Sequence, residues 1–363
     1  MNPPTAADQV RFLIDLQRLL DEGSFVSTYK LALLMSLAQV SVEDCDDSGS
    51  PHTTSTRRIA EVFVRLYWRQ ALPYVPAARS ARGRVLLAAT GKQAAILNRV
   101  ANEHRRFAGS LPSLMRDERA WDRLLSAVAR TIEIMPLWRL QTLGSKRHEF
   151  LYRQGRDPHE IVLSPGVAYC FRRFLPLVKE LVQARWMQFV VRIPGNHDLI
   201  GDANDLGEFL FGSERRSLTE VQAILRDVQE SRCLYCERAV GKDAAVDHFI
   251  PWSRYAVDLG HNFVLSHARC NANKSDSLAA FEHLQRWCDR NLEHAHQLAD
   301  RFDEKAIAHN LSASWQIARW AYEQAESARA QVWTDHRKNL ATLDARWRVL
   351  PGVGAPTWAS ERS

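Results

Sequence analysis

The stretch Cys233–Asp276 reads CLYCERAVGKDAAVDHFIPWSRYAVDLGHNFVLSHARCNANKSD. It gathers metal-type ligands at a density found nowhere else in the chain. Cys233-x-x-Cys236 opens it, and His267-x-x-Cys270 answers near its end. Two thiolates two residues apart can grip one tetrahedral ion from a tight turn, and a second pair completes the coordination. Cys233, Cys236, His267 and Cys270 therefore read as a Cys3His structural zinc set, in which His267 stands where cysteine is the commoner ligand.

Between the two pairs lies Asp247-His248, flanked by Val246 and by Phe249-Ile250. That composition predicts a short strand, which Pro251 ends. Adjacent strand residues point to opposite faces, so the two side chains take separate roles. Asp247 offers a hard carboxylate oxygen to a divalent cation, and His248 an imidazole suited to act as a base. Asn262 opens the apolar run Phe263-Val264-Leu265, the expected partner strand. Asn271, at the start of the following helix, adds a neutral oxygen ligand, and Lys274, one turn on, is placed to hold a phosphate. Trp252 and Arg254, just after the first strand, either touch nucleic acid or pack the loop.

The order CxxC, DHFIPW, HNFVL, CNANKSD resembles the HNH endonuclease family and its ββα-metal core, in the form with zinc knuckles found in restriction-type HNH enzymes. The segment NANKSD is also similar to the HNH domain of the RNA-guided CRISPR effector. The resemblance covers about 50 of the 363 residues. It implies that His248 is the general base and Asp247 a ligand of a catalytic Mg²⁺ or Mn²⁺. It implies that Asn262 holds the loop and orients the base, and that Asn271 is the second ligand; Asn273 takes that place if the register shifts by two. The implied reaction is single-metal hydrolysis of DNA phosphodiester bonds, with the zinc structural and remote from the chemistry. The implied setting is bacterial restriction or anti-phage defence, with other subunits of such a system as partners.

Outward from this core the chain reads as mainly α, with the zinc-stapled ββα piece as a small α+β island. Helical spacing runs over 7–21, where Val10, Phe12, Leu13, Leu16, Leu19 and Leu20 share a face. Residues 28–42 are apolar almost all round, as in a buried helix. Further helices are expected over 56–72 with Ser55 as cap, 92–107, 112–130, 165–191, 217–230, 277–301 and 303–346, the last with a break near Asn310. Glu149–Tyr152 and Glu160–Leu163 flank a turn and read as a hairpin. The expected division is a helical N-terminal domain over 1–145, a helical linker region with the hairpin over 146–230, the nuclease core over 231–287, C-terminal helices over 288–350 and a flexible tail over 351–363.

The net charge is +6, but residues 57–106 carry eleven Lys/Arg against Glu61 and Glu103. Such a concentration is the footprint of a phosphate-backbone binder, with Arg82, Arg84, Arg105 and Arg106 as the expected contacts. Gly195-Asn196-His197-Asp198 matches a metallophosphoesterase signature. The Gly201–Asp205 segment follows it in the wrong order, so it reads as a turn. No apolar run reaches 18 residues, and the first residues lack the pattern of a secretory leader, so a cytoplasmic protein without a membrane span is expected. Six cysteines, three of them in the cluster, suit metal binding plus free thiols. Two other readings fit the same residues: a zinc-stapled nucleic-acid adaptor with a vestigial site, and a nuclease toxin acting on RNA or single strands. Oligomeric state is not legible.

Overall fold

The structure is a computed structural model that describes residues 3–75, 83–144, 146–155, 157, 159–200, 205–212, 218–242, 244–305, 307–335 and 339–354. The chain divides into two compact units, Met1–Glu214 and Arg215–Ser363.

The first unit is built around the helix the sequence marks as apolar on all sides. Helix α1, Ala6–Glu22, starts at a capping box in which Thr5 and Asp8 satisfy each other's backbone N–H. Helix α2, Tyr29–Asp44, follows, with Leu31, Leu33, Leu34, Leu37, Ala38 and Val40 fully buried. Strand β1, His52–Ser55, leads into α3, Thr56–Gln70, and Ser55 caps it by accepting from the Arg58 N–H. Next come α4, Ala95–Arg106; α5, Leu111–Arg116; α6, Glu118–Ile134, capped by Asp117; and the single turn α7, Pro136–Arg139. Two two-residue strands, β2 (Thr142–Leu143) and β3 (Lys146–Arg147), pair with each other. The expected hairpin forms from β4, Tyr152–Gln154, and β5, Glu160–Leu163, with its first strand slightly later than the sequence suggests.

That hairpin corrects the expected linker. β5 also pairs antiparallel with β1, His52 opposite Leu163, so the residues after 146 complete the first unit's sheet. The long helix expected over 165–191 is two: α8, Val167–Arg173, and α9, Leu175–Arg192. Pro176, which has no N–H to continue a ladder, sits in the first turn of the second. Arg172 is fully buried and donates to the carbonyls of Ser41, Val42 and Cys45. It thereby satisfies groups that the end of α2 would otherwise bury unpaired. The residues 195–198 are structural. Asn196 is buried, accepting from the Leu87 N–H and donating to the Leu87 and Val190 carbonyls. Short helices α10, His197–Ile200, and α11, Leu206–Phe211, close the unit.

The second unit begins with α12, Thr219–Val228. Strands β6, Ala244–His248, and β7, Phe263–His267, pair antiparallel and run into α13, Ala268–Lys274, which gives the ββα order. The remaining expected helices are divided: α14, Phe281–Glu293, and α15, Ala295–Glu304, replace one, and α16, Leu311–Ser327, starts at its cap Asn310. Helix does not continue to 346. Arg329 takes a left-handed conformation, φ +50°, and a hairpin of β8, Gln331–Trp333, and β9, Leu340–Thr342, follows. Trp315, Trp320 and Trp333 are core residues, and Trp333 also hydrogen-bonds through its backbone to Leu278 and Ala280. The expected flexible tail falls mostly on residues 355–363, outside the described ones.

Candidate active site

The zinc set assembles as the spacing implies. The ligand atoms of Cys233, Cys236, His267 and Cys270 all lie within 4.8 Å of one another. Ligands about 2.3 Å from one tetrahedral ion would stand roughly 3.8 Å apart, so little movement is needed. The imidazole is already oriented. Its Nε2 faces the Ala239 carbonyl at 3.1 Å, which turns Nδ1 toward Cys236 Sγ at 3.3 Å. A backbone acceptor fixing the far nitrogen is the usual support of a metal-bound histidine. Burial, reinforced by the neighbouring Cys233 and Cys236, pushes the Cys270 thiol up to about 12. A dication is what would convert these crowded thiols to thiolates. Cys45, Cys170 and Cys288 are separate buried free thiols.

The strand pair puts Asp247 and His248 on opposite faces. Asp247 is 8% exposed. Its Oδ2 accepts from the Tyr235 hydroxyl at 2.5 Å and lies 3.1 Å from Lys274 Nζ. Its Oδ1 has no protein partner among the described residues. One carboxylate oxygen is therefore fixed by protein contacts. A carboxylate oxygen is the type of donor that suits a hard, hydrated cation such as magnesium or manganese. Asn271 lies one turn before Lys274 on α13, hence on the same helix face.

His248 is partly exposed, and its Nε2 lies 2.7 Å from Asp258 Oδ1. Its ring leans on Phe263, its partner across the strands, at 4.8 Å, and on Trp252 at 5.4 Å. Asn262 is buried and staples the chain beyond His248. It accepts from the Ile250 N–H at 2.8 Å, donates to the Ile250 carbonyl at 3.0 Å, and its own carbonyl accepts from Phe249. These bonds continue the ladder past the end of β6 and hold the backbone on which His248 sits.

Two expectations change here. Lys274 is fully buried, ion-paired with Asp247, and donates to the His248 carbonyl at 2.9 Å. It holds the strand and the carboxylate, and it has no surface to offer a phosphate. Burial pulls its ammonium below the ordinary value, and Asp247 opposes that. The zinc knuckle is also not remote, because Tyr235 lies between Cys233 and Cys236 and reaches Asp247 directly.

The sequence reading also missed Asp258, Tyr235 and the clamp from α14. Arg290 donates to the carbonyls of Phe263 and His261, Trp287 Nε1 to His261, and Arg286 to Leu234 and Tyr235. An acidic residue four positions before Asn262 was a visible signal for Asp258. The arginines had none, since they lie on a later helix. Arg254 is half-buried, with its Nε unpartnered and Asp276 as its acidic neighbour.

The expected basic contacts fare differently. Arg82 lies outside the described residues. Arg84 donates to the Gly195 carbonyl and Arg105 to Asn102, while Arg106 pairs with Glu103 and Asp117. Among the described residues no helix is long and apolar enough to cross a membrane.

Residues 10–206 match a family model described as a domain of unknown function (DUF8808), and residues 233–280 match one described as HNH endonuclease. The second match runs from the first zinc-type cysteine to the start of α14 and contains every candidate site residue of the ββα core except the supports on α14. No curated protein and no solved structure matches the chain.

Proposed function

We propose that this chain, which belongs to the DUF8808 family through residues 10–206 and carries an HNH endonuclease domain at residues 233–280, is an endonuclease that uses Mg²⁺ or Mn²⁺ to hydrolyse DNA phosphodiester bonds. The observation that carries the reading is the division of labour across β6. Asp247 meets Tyr235 and Lys274, while the partly exposed His248 meets Asp258. An adaptor would need neither the fixed carboxylate nor the oriented imidazole.

With Nε2–H donated to Asp258, the lone pair of His248 is on Nδ1, and that nitrogen is the base. It takes a proton from water, the resulting hydroxide bonds to phosphorus in line, and the opposite P–O bond breaks to release a terminal oxygen. Asp258 stabilises the imidazolium that forms. Asp247 and Asn271 would hold the metal ion, whose chemistry is to neutralise charge on the scissile phosphate and leaving oxygen. Lys274 and Tyr235 keep Asp247 in place through the reaction. Asn262 keeps the loop, and with it the base, in register. Cys233, Cys236, His267 and Cys270 would hold a structural zinc ion. A setting in restriction or anti-phage defence, with partner subunits, follows from family analogy.

A plasmid-nicking assay with Mg²⁺ or Mn²⁺ tests this. His248→Ala should cut at least about 100-fold more slowly, the usual worth of a general base. Equal cleavage by the variant would remove His248 from the chemistry. Wild-type protein that binds plasmid without ever nicking it would favour the adaptor.

A further inference from the structure

The first unit carries many arginines, and most have partners. Arg57 pairs with Asp122 at 2.7 Å, Arg58 with Glu43, Asp44 and Glu61, Arg147 with Glu149, and Arg172 with Asp47. Three do not. Arg99 on α4 and Arg123 and Arg130 on α6 have no ion pair or side-chain hydrogen bond among the described residues, and all three are exposed. They line one cleft of about 530 Å³, together with Ser126, Thr131 and Asp122. Asp122, the only acid among the described residues that line it, is already engaged by Arg57.

Three guanidinium groups with no counter-charge repel one another across a shared concavity, and a bound anion would relieve that. Their spread says which kind of anion. Arg123 and Arg130 are two helical turns apart on one face of α6, about 10 Å along its axis. A single phosphate calls for donors rooted close together, whereas Arg123 and Arg130 are rooted two turns apart. Phosphates recur about every 3.4 Å of axis along each strand of a duplex, so three fall within that span. Arginine also forks onto phosphate oxygens with two parallel bonds.

We infer that the α4–α6 cleft is a nucleic-acid backbone site, in which Arg99, Arg123 and Arg130 contact successive phosphates of one strand of a DNA duplex. This extends the nuclease reading: it assigns a DNA-holding role to the DUF8808 unit, on residues other than the four arginine contacts expected from the sequence, two of them outside the basic segment 57–106. Contacts of this kind position a substrate without reading its sequence.

The test uses the full chain carrying His248→Ala, so that substrate survives, and a labelled duplex of about 25 base pairs titrated at several salt concentrations. Adding Arg99→Gln, Arg123→Gln and Arg130→Gln should reduce the slope of log affinity against log salt by roughly 2.7, about 0.9 per lost phosphate contact. Arg147→Gln, which removes the same charge as each single substitution but from a paired and exposed position, should leave the slope nearly unchanged. Circular dichroism checks that the triple variant stays folded; should it unfold, each single substitution is expected to lower the slope by about 0.9. An unchanged slope in the triple or in all three singles overturns the proposal. So does an effect confined to single-stranded RNA or to inorganic phosphate. Wild-type nicking, measured separately, keeps the two readings apart. Nicking with an unchanged slope sinks the cleft alone, and a reduced slope without nicking sinks the nuclease reading alone.

Discussion

Replacing Lys274 by methionine distinguishes a structural cation from a phosphate contact. The Lys274 side chain is 0% exposed, and its Nζ lies 3.1 Å from Asp247 Oδ2 and donates to the His248 carbonyl at 2.9 Å. At an effective dielectric of about 20 that charge separation corresponds to roughly 5 kcal/mol of attraction, before the desolvation that opposes it. Methionine keeps most of the volume and removes the charge. Asp247 is then left as a largely buried carboxylate held by Tyr235 alone, a situation that typically costs about 3–5 kcal/mol. Lys274→Met should therefore lower the unfolding free energy by that amount in equilibrium urea titrations followed by tryptophan fluorescence. Asp247→Asn in the same background should recover a large part of the loss, because the stranded charge is gone. That recovery is the coupling a double-mutant cycle reads. The reasoning is refuted if Lys274→Met changes stability by less than about 0.5 kcal/mol, the range of ordinary surface changes, while weakening DNA binding.

Other consequences follow from the same geometry. Tyr235→Phe deletes a hydrogen bond to a charged carboxylate, worth roughly 1.5–3 kcal/mol; cleavage at sub-saturating Mn²⁺ should fall about 10- to 100-fold with zinc content unchanged, and an unaltered Mn²⁺ dependence would show that Tyr235 only packs. Purified protein should carry one equivalent of zinc, and Cys270→Ser should lower its melting temperature more than its chemical rate. Less than half an equivalent in metal analysis would count against the Cys3His site. The second unit should also weaken in acid. His261 is buried, and burial, helped by Arg290 and His309, depresses its pKa to about 3; burial brings His283 to about 4. The unfolded chain then binds protons that the folded one refuses, so stability present above pH of about 6.5 is lost as pH falls toward about 3, on the order of 3–5 kcal/mol from His261 alone. Melting temperatures of wild type and His261→Gln between pH 7 and 4 measure this, and parallel curves would contradict it.

The sequence by itself determined the features whose physics is local. The two short-spaced ligand pairs announced the Cys3His set. The alternation around Asp247-His248 gave opposite faces on a strand, and the apolar surround of 28–42 gave a helix buried on nearly every side. Each depends on residues within a turn or a pleat of one another. Tertiary structure alone decided the features that depend on which distant groups meet. It made Lys274 the buried partner of Asp247 instead of a phosphate ligand, because α13 packs across β6. It brought Tyr235 from the zinc knuckle to the same carboxylate and Asp258 to His248. It tied β5 to β1, so that an expected linker became sheet. Charge counting found the basic segment of 57–106 but could not say which cations are already spoken for, since ion pairs such as Arg57–Asp122 join helices far apart in the chain. The arginines left over at the α4–α6 cleft, Arg99, Arg123 and Arg130, emerge only when those pairs are in view. An arginine's availability depends on its neighbours in space, and adjacency along the chain does not give them.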